Sequence, residues 1–289
     1  MGKKRSSRAR RREPVRHPIP QARLHTAAPP QPEIEHLTET DLVDGWSPLP
    51  QVRIRQARAE DIDAVTALSR LAGVDIEVEV MDAVRTGIAG TEVRAGLREG
   101  GKDGFLRVMA GRFAEYQSAD QRQLFAHVTL VLVAEHDEQG VIGALVAYPP
   151  LGVVGQMLQH NQRVGGGVKQ ATQILTMGVL KICRIKSLAV ASQVRGHGIG
   201  AALLGYCHQV YEHLGYISVY GQAPTTPGLD AFYRRQGFEV LDTGVGFDPW
   251  VVFGVHADIR PAPQERIFIW NRPPGRPSRQ RPVLGGRLS

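Results

Sequence analysis

The chain has 289 residues, of which 42% are hydrophobic, with a formal net charge of +7 and a pI near 9.7. This apolar content excludes a wholly disordered chain, and two cysteines exclude a disulfide framework or a cysteine-ligated metal. The charge-free stretch 141–162 is interrupted by Pro149-Pro150, leaving about ten unbroken apolar residues where a membrane span needs about 20. We therefore expect neither a transmembrane segment nor a bound metal.

The positive charge lies at the two ends of the chain. Residues 1–17 carry eight Lys or Arg against one Glu, and residues 271–289 carry five Arg and no acid. Both ends are rich in Pro, Gly, Ser or Arg and bury too little apolar area to offset the entropy of ordering. The sequence therefore predicts mostly disordered tails at 1–50 and 272–289 around one folded domain at 51–271.

Two further expectations concern these tails. Leu37, Leu42, Val43 and Trp46 are apolar residues that could dock on the domain as a short arm. The cations predict weak, salt-dependent association with nucleic acid.

The two cysteines, Cys183 and Cys207, show no pairing pattern. This favours a reducing compartment, and cytoplasmic localisation is expected.

The first half of the domain alternates strands with helices. A short strand begins at Val52, and Ile62, Val65 and Leu68 then have helical spacing. An insertion at about 74–124 predicts two or three short helices, separated at Gly100-Gly101. A hairpin of two apolar strands follows, and a second insertion at about 149–180 contains the glycine run 165–167, predicted as a mobile loop. The two hairpin strands are Val128–Glu135 and Val141–Tyr148.

The second half of the domain continues this alternation. The predicted order is strand, helix, strand, helix, strand and a final hairpin: Ile182–Val190, Gly198–Leu214, Tyr216–Tyr220, 229–236, Phe238–Leu241, then Trp250–Val255 with Arg266–Trp270. Strands that are apolar on both faces predict an α/β protein whose mixed central sheet is covered by helices on both sides.

The junction at 187–204 is the most specific feature, since an apolar strand runs through a glycine-rich turn into an amphipathic helix. Gly196, Gly198 and Gly200 let the backbone turn tightly and direct several N–H groups to one place, where the helix dipole also favours an anion. No Gly-Lys-Ser/Thr follows the strand, and the glycines read G-x-G-x-G. Neither the Walker loop nor the dinucleotide fingerprint fits.

Arg195-Gly-His-Gly-Ile-Gly200 resembles the R/Q-x-x-G-x-G/A signature of the GNAT acetyltransferase superfamily. Two further segments are similar to motifs of that family and stand in the same order. They are the opening strand and helix from Val52 to Leu68, and the closing Phe232-Tyr233, which is followed after three more residues by Gly237-Phe238. Three motifs in order are far more specific than one.

This resemblance implies a GNAT-type acyl-CoA N-acyltransferase fold in which acetyl-CoA lies between two splayed strands, with its pyrophosphate on the glycine turn. Thr226 stands where the family often has Asn, which implies weaker cofactor binding. Tyr233 matches the tyrosine that protonates the departing thiolate. The residues that the resemblance assigns to the cofactor are Leu188, Val190, Arg195, Gly196, His197, Gly198, Ile199, Gly200 and Thr226.

The expected activity is transfer of acetyl to a primary amine of a small molecule or a protein. Insertions 74–124 and 149–180 enter where the family usually builds its acceptor pocket.

On the strand before the glycine turn, Lys186 and Ser187 replace the acid that many members of the family carry there, so no base is assigned. Glu135, His136 and Asp137, or a chain of water molecules, are possible substitutes, while His127 and His197 are no better. Two alternatives remain: a non-catalytic CoA-binding module, and an enzyme acting on a nucleic-acid- or ribosome-associated macromolecule recruited by the tails.

Overall fold

A computed structural model describes residues 37–115 and 121–272. Its eight strands form one sheet with the order β1-β2-β3-β4-β5-β6-β8-β7, in which only the β5–β6 pair is parallel. The strands are β1 (Trp46–Leu49), β2 (Val52–Gln56), β3 (Leu130–His136), β4 (Gly140–Tyr148), β5 (Ile182–Val190), β6 (Ser218–Pro224), β7 (Glu239–Val240) and β8 (Glu265–Asn271).

Eleven α-helices in the described part of the chain surround this sheet. They are α1 (Glu39–Val43), α2 (Ile62–Leu71), α3 (Val78–Arg85), α4 (Thr91–Arg98), α5 (Lys102–Glu115), α6 (Gln121–Val128), α7 (Leu151–Arg163), α8 (Val168–Leu180), α9 (Ile199–His213), α10 (Leu229–Arg235) and α11 (Trp250–Phe253). None of them combines the length and the apolar character that a bilayer crossing requires.

Both faces of the central strands are buried, as their apolar sequences predict. Leu132 and Leu145 belong to the core shared with α9, while Val133 and Val146 pack with α2 and α3. Successive residues of β3 and β4 thus alternate between two hydrophobic layers. The predicted α/β class, with a mixed sheet between helices, is confirmed.

The segment before residue 51, assigned above to the N-terminal tail, is folded from residue 37 onward. Thr38 and Asp41 form a capping box that starts α1, and Leu42 is fully buried. Trp46 in β1 stacks on Tyr206 of α9, with ring centroids 5.6 Å apart. The interpretation of this segment as a docked arm therefore describes residues 37–49 better than disorder does. Residues 1–36 and 273–289 lie outside the described part.

The two insertions form helices at different places in the fold. The first gives α3 to α6, and Gly96 of α4 lies against Phe105 and Leu214, at the far end of α9 from the glycine turn. The second gives α7 and α8, which pack closely because Gly178 lies beside Val154. The glycine run predicted as a mobile loop is the connection between α7 and α8, and α8 begins immediately after it.

One predicted strand is wrong. The residues at Trp250–Val255 form α11 and a turn, and β8 pairs instead with β6 and β7. A carboxylate oxygen of Asp248 accepts hydrogen bonds from the N–H groups of Trp250 and Ala257, at 3.0 and 3.1 Å, which fixes this turn. A short apolar run does not distinguish a strand from a buried helix by periodicity.

Candidate active site

The turn between β5 and α9 depends on two glycines with left-handed backbone. Gly196 and Gly198 have φ angles of 83° and 85°, a region that residues with a Cβ rarely adopt. Gly198 is the N-cap of α9. Because the first turn of a helix has no intrahelical acceptor for its N–H groups, those of Gly198, Ile199 and Gly200 are available to an anion.

Strands β5 and β6 separate beside this turn. Their parallel pairing ends where Ile185 lies opposite Gly221. Beyond that point β5 continues against β4 as far as Val190, while β6 continues against β8 as far as Pro224. Two neighbouring strands thus diverge into a cleft that opens toward the glycine turn. The splayed strands expected from the resemblance are present.

The free edge of β5 faces this cleft. Ala191 donates its N–H to the carbonyl oxygen of Ile142 in β4 at 2.9 Å, whereas Arg195 Nε donates to the carbonyl oxygen of Val190 at 3.0 Å. In an antiparallel pair, successive residues direct their backbone groups to alternate sides. The backbone groups of Leu188 and Val190 therefore point away from β4, toward the gap.

Gly200 lies between Val190 and Phe232 on the α9 side of the cleft. A Cβ built on Gly200 would be 3.6 Å from Cγ2 of Val190 and 3.8 Å from Cζ of Phe232, which are ordinary contact distances. The protein itself therefore has room for alanine at this position, in agreement with the G/A alternative of the signature. The residues present fit a phosphate group held by backbone N–H groups.

Tyr233 lies on α10 and is 7% exposed. Its ring stacks on Phe268 at a centroid distance of 3.7 Å and makes an edge contact with Phe232 at 5.0 Å. Burial raises the pKa of the Tyr233 hydroxyl, which makes no hydrogen bond to a described residue. The side chain is a packed core residue that also holds a proton; its role as an acid stays a prediction.

His197 and Thr226 follow the carboxyl ends of β5 and β6, the two strands that border the cleft. Thr226 follows β6, is exposed, and accepts a hydrogen bond from the N–H of Leu229 at 3.2 Å through its carbonyl oxygen. His197 Nδ1 lies 3.1 Å from the carbonyl oxygen of Arg195, so its ring folds back onto its own turn. Their proposed contacts with the cofactor remain untested predictions.

Three of the base candidates taken from the sequence have hydrogen-bond partners away from the cleft. Glu135 Oε2 accepts a hydrogen bond from Nε of the buried Arg55 at 3.0 Å, and this hydrogen bond lowers the pKa of the Glu135 carboxyl. His136 Nδ1 accepts a hydrogen bond from the N–H of Glu138. His127 Nδ1 lies 2.7 Å from Thr91 Oγ1. A carboxylate with a lowered pKa accepts a proton poorly near neutral pH, which leaves Glu135 unsuited to this role.

A carboxylate that sequence reasoning missed reaches β5 from the residue before α3. Glu77 accepts hydrogen bonds from Lys186 Nζ at 2.8 Å and from the hydroxyl of Tyr148 at 2.6 Å. Burial alone would raise the pKa of Glu77, but these two donors outweigh it and lower the pKa. Glu77 therefore neutralises Lys186 rather than serving as a strong base. Only three-dimensional packing brings it to this strand.

A cavity of about 880 Å³ lies on the sheet face opposite α9, between α7, α8 and the β7–β8 connection. Arg184 and Tyr220 form part of its floor, together with Gln222, which directly follows the last β5–β6 pair. The cavity therefore reaches the point where the strands separate. None of its lining residues comes from 74–124, so that insertion does not contribute to this candidate acceptor pocket, contrary to expectation.

A sheet whose one parallel strand pair separates beside a helix N-terminus is an arrangement that suits a phosphate-bearing ligand. Residues 127–240 match the family model described as "Acetyltransferase (GNAT) domain". This segment is therefore a GNAT acetyltransferase domain, and it contains both the glycine turn and Tyr233. In the described residues, no group of three or more His, Cys, Asp or Glu is arranged to hold a metal.

Several solved structures are similar to the chain at low identity. A GNAT family acetyltransferase from Elizabethkingia anophelis with acetyl-CoA bound is 15% identical over 50% of this chain and 76% of its own, with a TM-score of 0.31. The PaiA N-acetyltransferase from Thermoplasma acidophilum, in complex with coenzyme A, is 14% identical over 76% of this chain and 99% of its own, with a TM-score of 0.36.

A third similar structure is NAA60 from Arabidopsis thaliana in complex with a bisubstrate analogue. It is 13% identical over 76% of this chain and 97% of its own, with a TM-score of 0.41. No curated protein matches the chain at a significant level of sequence similarity. With TM-scores below 0.5, the ligands of these structures do not bear on the activity of this chain.

Proposed function

We propose that this chain is an N-acetyltransferase that moves the acetyl group of acetyl-CoA to a primary amine. The observation that carries the proposal is the cleft between β5 and β6, which opens beside three available N–H groups at Gly198, Ile199 and Gly200. Bound acetyl-CoA would supply an activated acyl group as a thioester. The backbone of Leu188 and Val190 would hold the pantetheine arm, and the glycine turn the pyrophosphate.

Tyr233 is the proposed acid. In the transfer a C–N bond forms and the C–S bond breaks, so the nitrogen loses one proton and the sulfur gains one. Tyr233 keeps its proton because burial raises its pKa, and it lies beside Phe232, which contacts the cleft wall at Gly200. A thiolate is a fair leaving group unaided, so the contribution of this acid is expected to be moderate.

No side chain is proposed as the base. An alkyl amine with a pKa near 10.4 is neutral in about one molecule in a thousand at pH 7. The carboxylates beside the sheet at Glu77 and Glu135 both have lowered pKa values. We therefore propose that the acceptor binds as the free amine after losing its proton to solvent.

The test is amine-dependent release of free thiol from acetyl-CoA, with the acetylated amine identified by mass spectrometry. A panel of chemically distinct primary amines is used because the acceptor is unidentified. The proposal expects thiol release that requires both the protein and an amine, with one acetylated product per thiol. Tight CoA binding without any acetylated product would instead support a non-catalytic CoA-binding module.

An acceptor recruited by the basic tails remains an alternative. The cations that suggest it lie in residues 1–17 and 272–289, almost entirely outside the described residues. Deleting both tails should remove salt-dependent RNA binding and leave transfer to a small amine unchanged. RNA binding that survives the deletion would locate the nucleic-acid site in the folded domain instead.

A further inference from the structure

The cavity opposite α9 contains a cation that no described acid neutralises. Arg184 is half-buried in β5, and its Nε atom is fully enclosed without a hydrogen-bond partner. Its Nη2 donates to Gln222 Oε1 at 2.9 Å. None of the ion pairs among the described residues includes Arg184. A guanidinium removed from water without an anionic partner is costly unless a ligand supplies one.

The other charged groups around Arg184 are already paired. Arg260, at the cavity rim, forms an ion pair with Asp258, and His256 Nδ1 contacts Asp248. Lys186, two residues along β5, is held by Glu77. Among the described residues that line the cavity, Arg184 is therefore the charge without an ion-pair partner.

The neighbouring floor residue does not offset this charge. Tyr220 lies directly opposite Arg184 in the β5–β6 register, and burial raises the pKa of its hydroxyl. It therefore stays neutral. Apolar walls from Val153, Met157 and Ile174 complete the space. The cavity thus offers a ligand one cationic site beside an apolar surface.

We propose that this cavity holds the acyl acceptor and that Arg184 binds an anionic oxygen group, a carboxylate or a phosphate, carried by the amine. The proposal rests on the acetyltransferase function proposed above and names its substrate class. A planar guanidinium donates paired hydrogen bonds to either group. Since Gln222 marks the start of the cleft, an anion on Arg184 places a nearby amine beside the separating strands.

The first experiment compares amines that differ in their anionic group, measured as kcat/KM for thiol release. The panel contains an α-amino acid, its methyl ester, O-phosphoethanolamine, ethanolamine and spermidine. We expect at least tenfold higher kcat/KM for the carboxylate or the phosphate compound than for the neutral and cationic amines, and their ratio tells the two anions apart. Equal or better use of ethanolamine or spermidine would overturn the proposal.

The second experiment uses Arg184→Met, with Arg260→Met as the matched control, since Arg260 lies in the same cavity but is already paired. Arg184→Met should raise KM for the anionic amine at least tenfold more than for its neutral analogue, and Arg184→Lys should restore part of the loss. Arg260→Met should change the same ratio less than threefold. A ratio unchanged in Arg184→Met would refute the assignment.

A binding measurement separates this proposal from the catalytic one. The N-acetylated form of the α-amino acid is titrated into the wild-type protein and Arg184→Met by calorimetry, with CoA present. Loss of binding in Arg184→Met supports the anion site even if no amine is turned over. Equal binding by both proteins overturns it, and the melting temperature of each variant verifies that it is folded.

Discussion

The cofactor side and the acceptor side of the cleft are built in different ways. The proposed phosphate site consists of backbone N–H groups within one short segment, and its glycines are visible as a pattern in the sequence. The proposed acceptor cavity consists of side chains from α7, α8, β5, β6 and the β7–β8 connection. A backbone site can be recognised locally, whereas a side-chain site exists only after distant segments have packed together.

The largest effect on CoA binding is expected at Gly200, where two substitutions of nearly equal size differ in charge. Gly200→Asp places a carboxylate near the phosphate, and like charges about 4 Å apart repel by about 4 kcal/mol at an effective dielectric constant of about 20. We expect at least 100-fold weaker CoA binding by calorimetry. A carboxylate in the first turn of α9 interacts favourably with the helix dipole, so the melting temperature should not fall.

Gly200→Asn is the matched control, because it has nearly the same size without the charge. It should lose clearly less CoA affinity than Gly200→Asp. Equal losses in the two variants would show that bulk, rather than charge, excludes the ligand. Unchanged affinity in both would remove the phosphate from this turn.

Tyr233→Phe tests whether this buried, packed tyrosine also supplies a proton. The substitution keeps the stacking on Phe268 and removes only the hydroxyl. We expect kcat to fall roughly 10- to 1000-fold, with CoA affinity nearly unchanged. A wild-type kcat, measured at a saturating acceptor with chemistry shown to be rate-limiting, would leave Tyr233 with its packing role alone.

The pH dependence distinguishes the proton-accepting step from the proton-donating one. If solvent deprotonates the amine, kcat/KM should rise about tenfold per pH unit between about pH 7 and 9 for an amine of pKa near 10.4. Because burial raises the pKa of Tyr233, the protonated acid persists at alkaline pH and no descending limb should appear below about pH 10. A plateau that begins near pH 7 would indicate a side-chain base instead.

The smallest effect concerns the N-terminal arm that supports the cofactor side. Leu49 lies 3.8 Å from a Cβ built on Gly198, and Trp46 stacks on Tyr206 of α9. Trp46→Ala should lower the free energy of unfolding by about 1–3 kcal/mol in urea titrations. Trp250, which is 51% exposed, is the control, and Trp250→Ala should cost under about 1 kcal/mol. Equal costs would mean that the arm adds no specific stability.

Much of the fold was predictable because its signals are local. Three of these signals depend on only a few neighbouring residues. They are the alternation along the strands, the switch to helical spacing after Val52, and the glycines at Gly196 and Gly198, whose backbone is left-handed. The same reasoning failed for α11. There the apolar run at 250–253 suits a strand or a helix equally, and the outcome depends on the Asp248 hydrogen bonds that fix the turn.

For the proposed acceptor cavity, the sequence indicated the 149–180 insertion, which lines it, and also the 74–124 insertion, which does not. Arg184 and Lys186 are unusual as polar residues in an otherwise apolar strand, and this is a signal that the sequence does contain. The sequence does not show that the charge of Lys186 is neutralised and that of Arg184 is not. Lys186 meets Glu77 from more than 100 residues earlier in the chain, while Arg184 meets no acid among the described residues. That difference arises from tertiary packing, which spacing and composition do not report.

Amide hydrogen exchange of the wild-type protein, measured with and without CoA, tests the central claim most directly. The account predicts that CoA slows exchange at Ala191 to Ala201, around the glycine turn, and along the free edge of β5, while α7 and α8 exchange as before. Protection confined to α7, α8 and the 255–260 segment, with none at the turn, would place the cofactor on the opposite face and contradict the account.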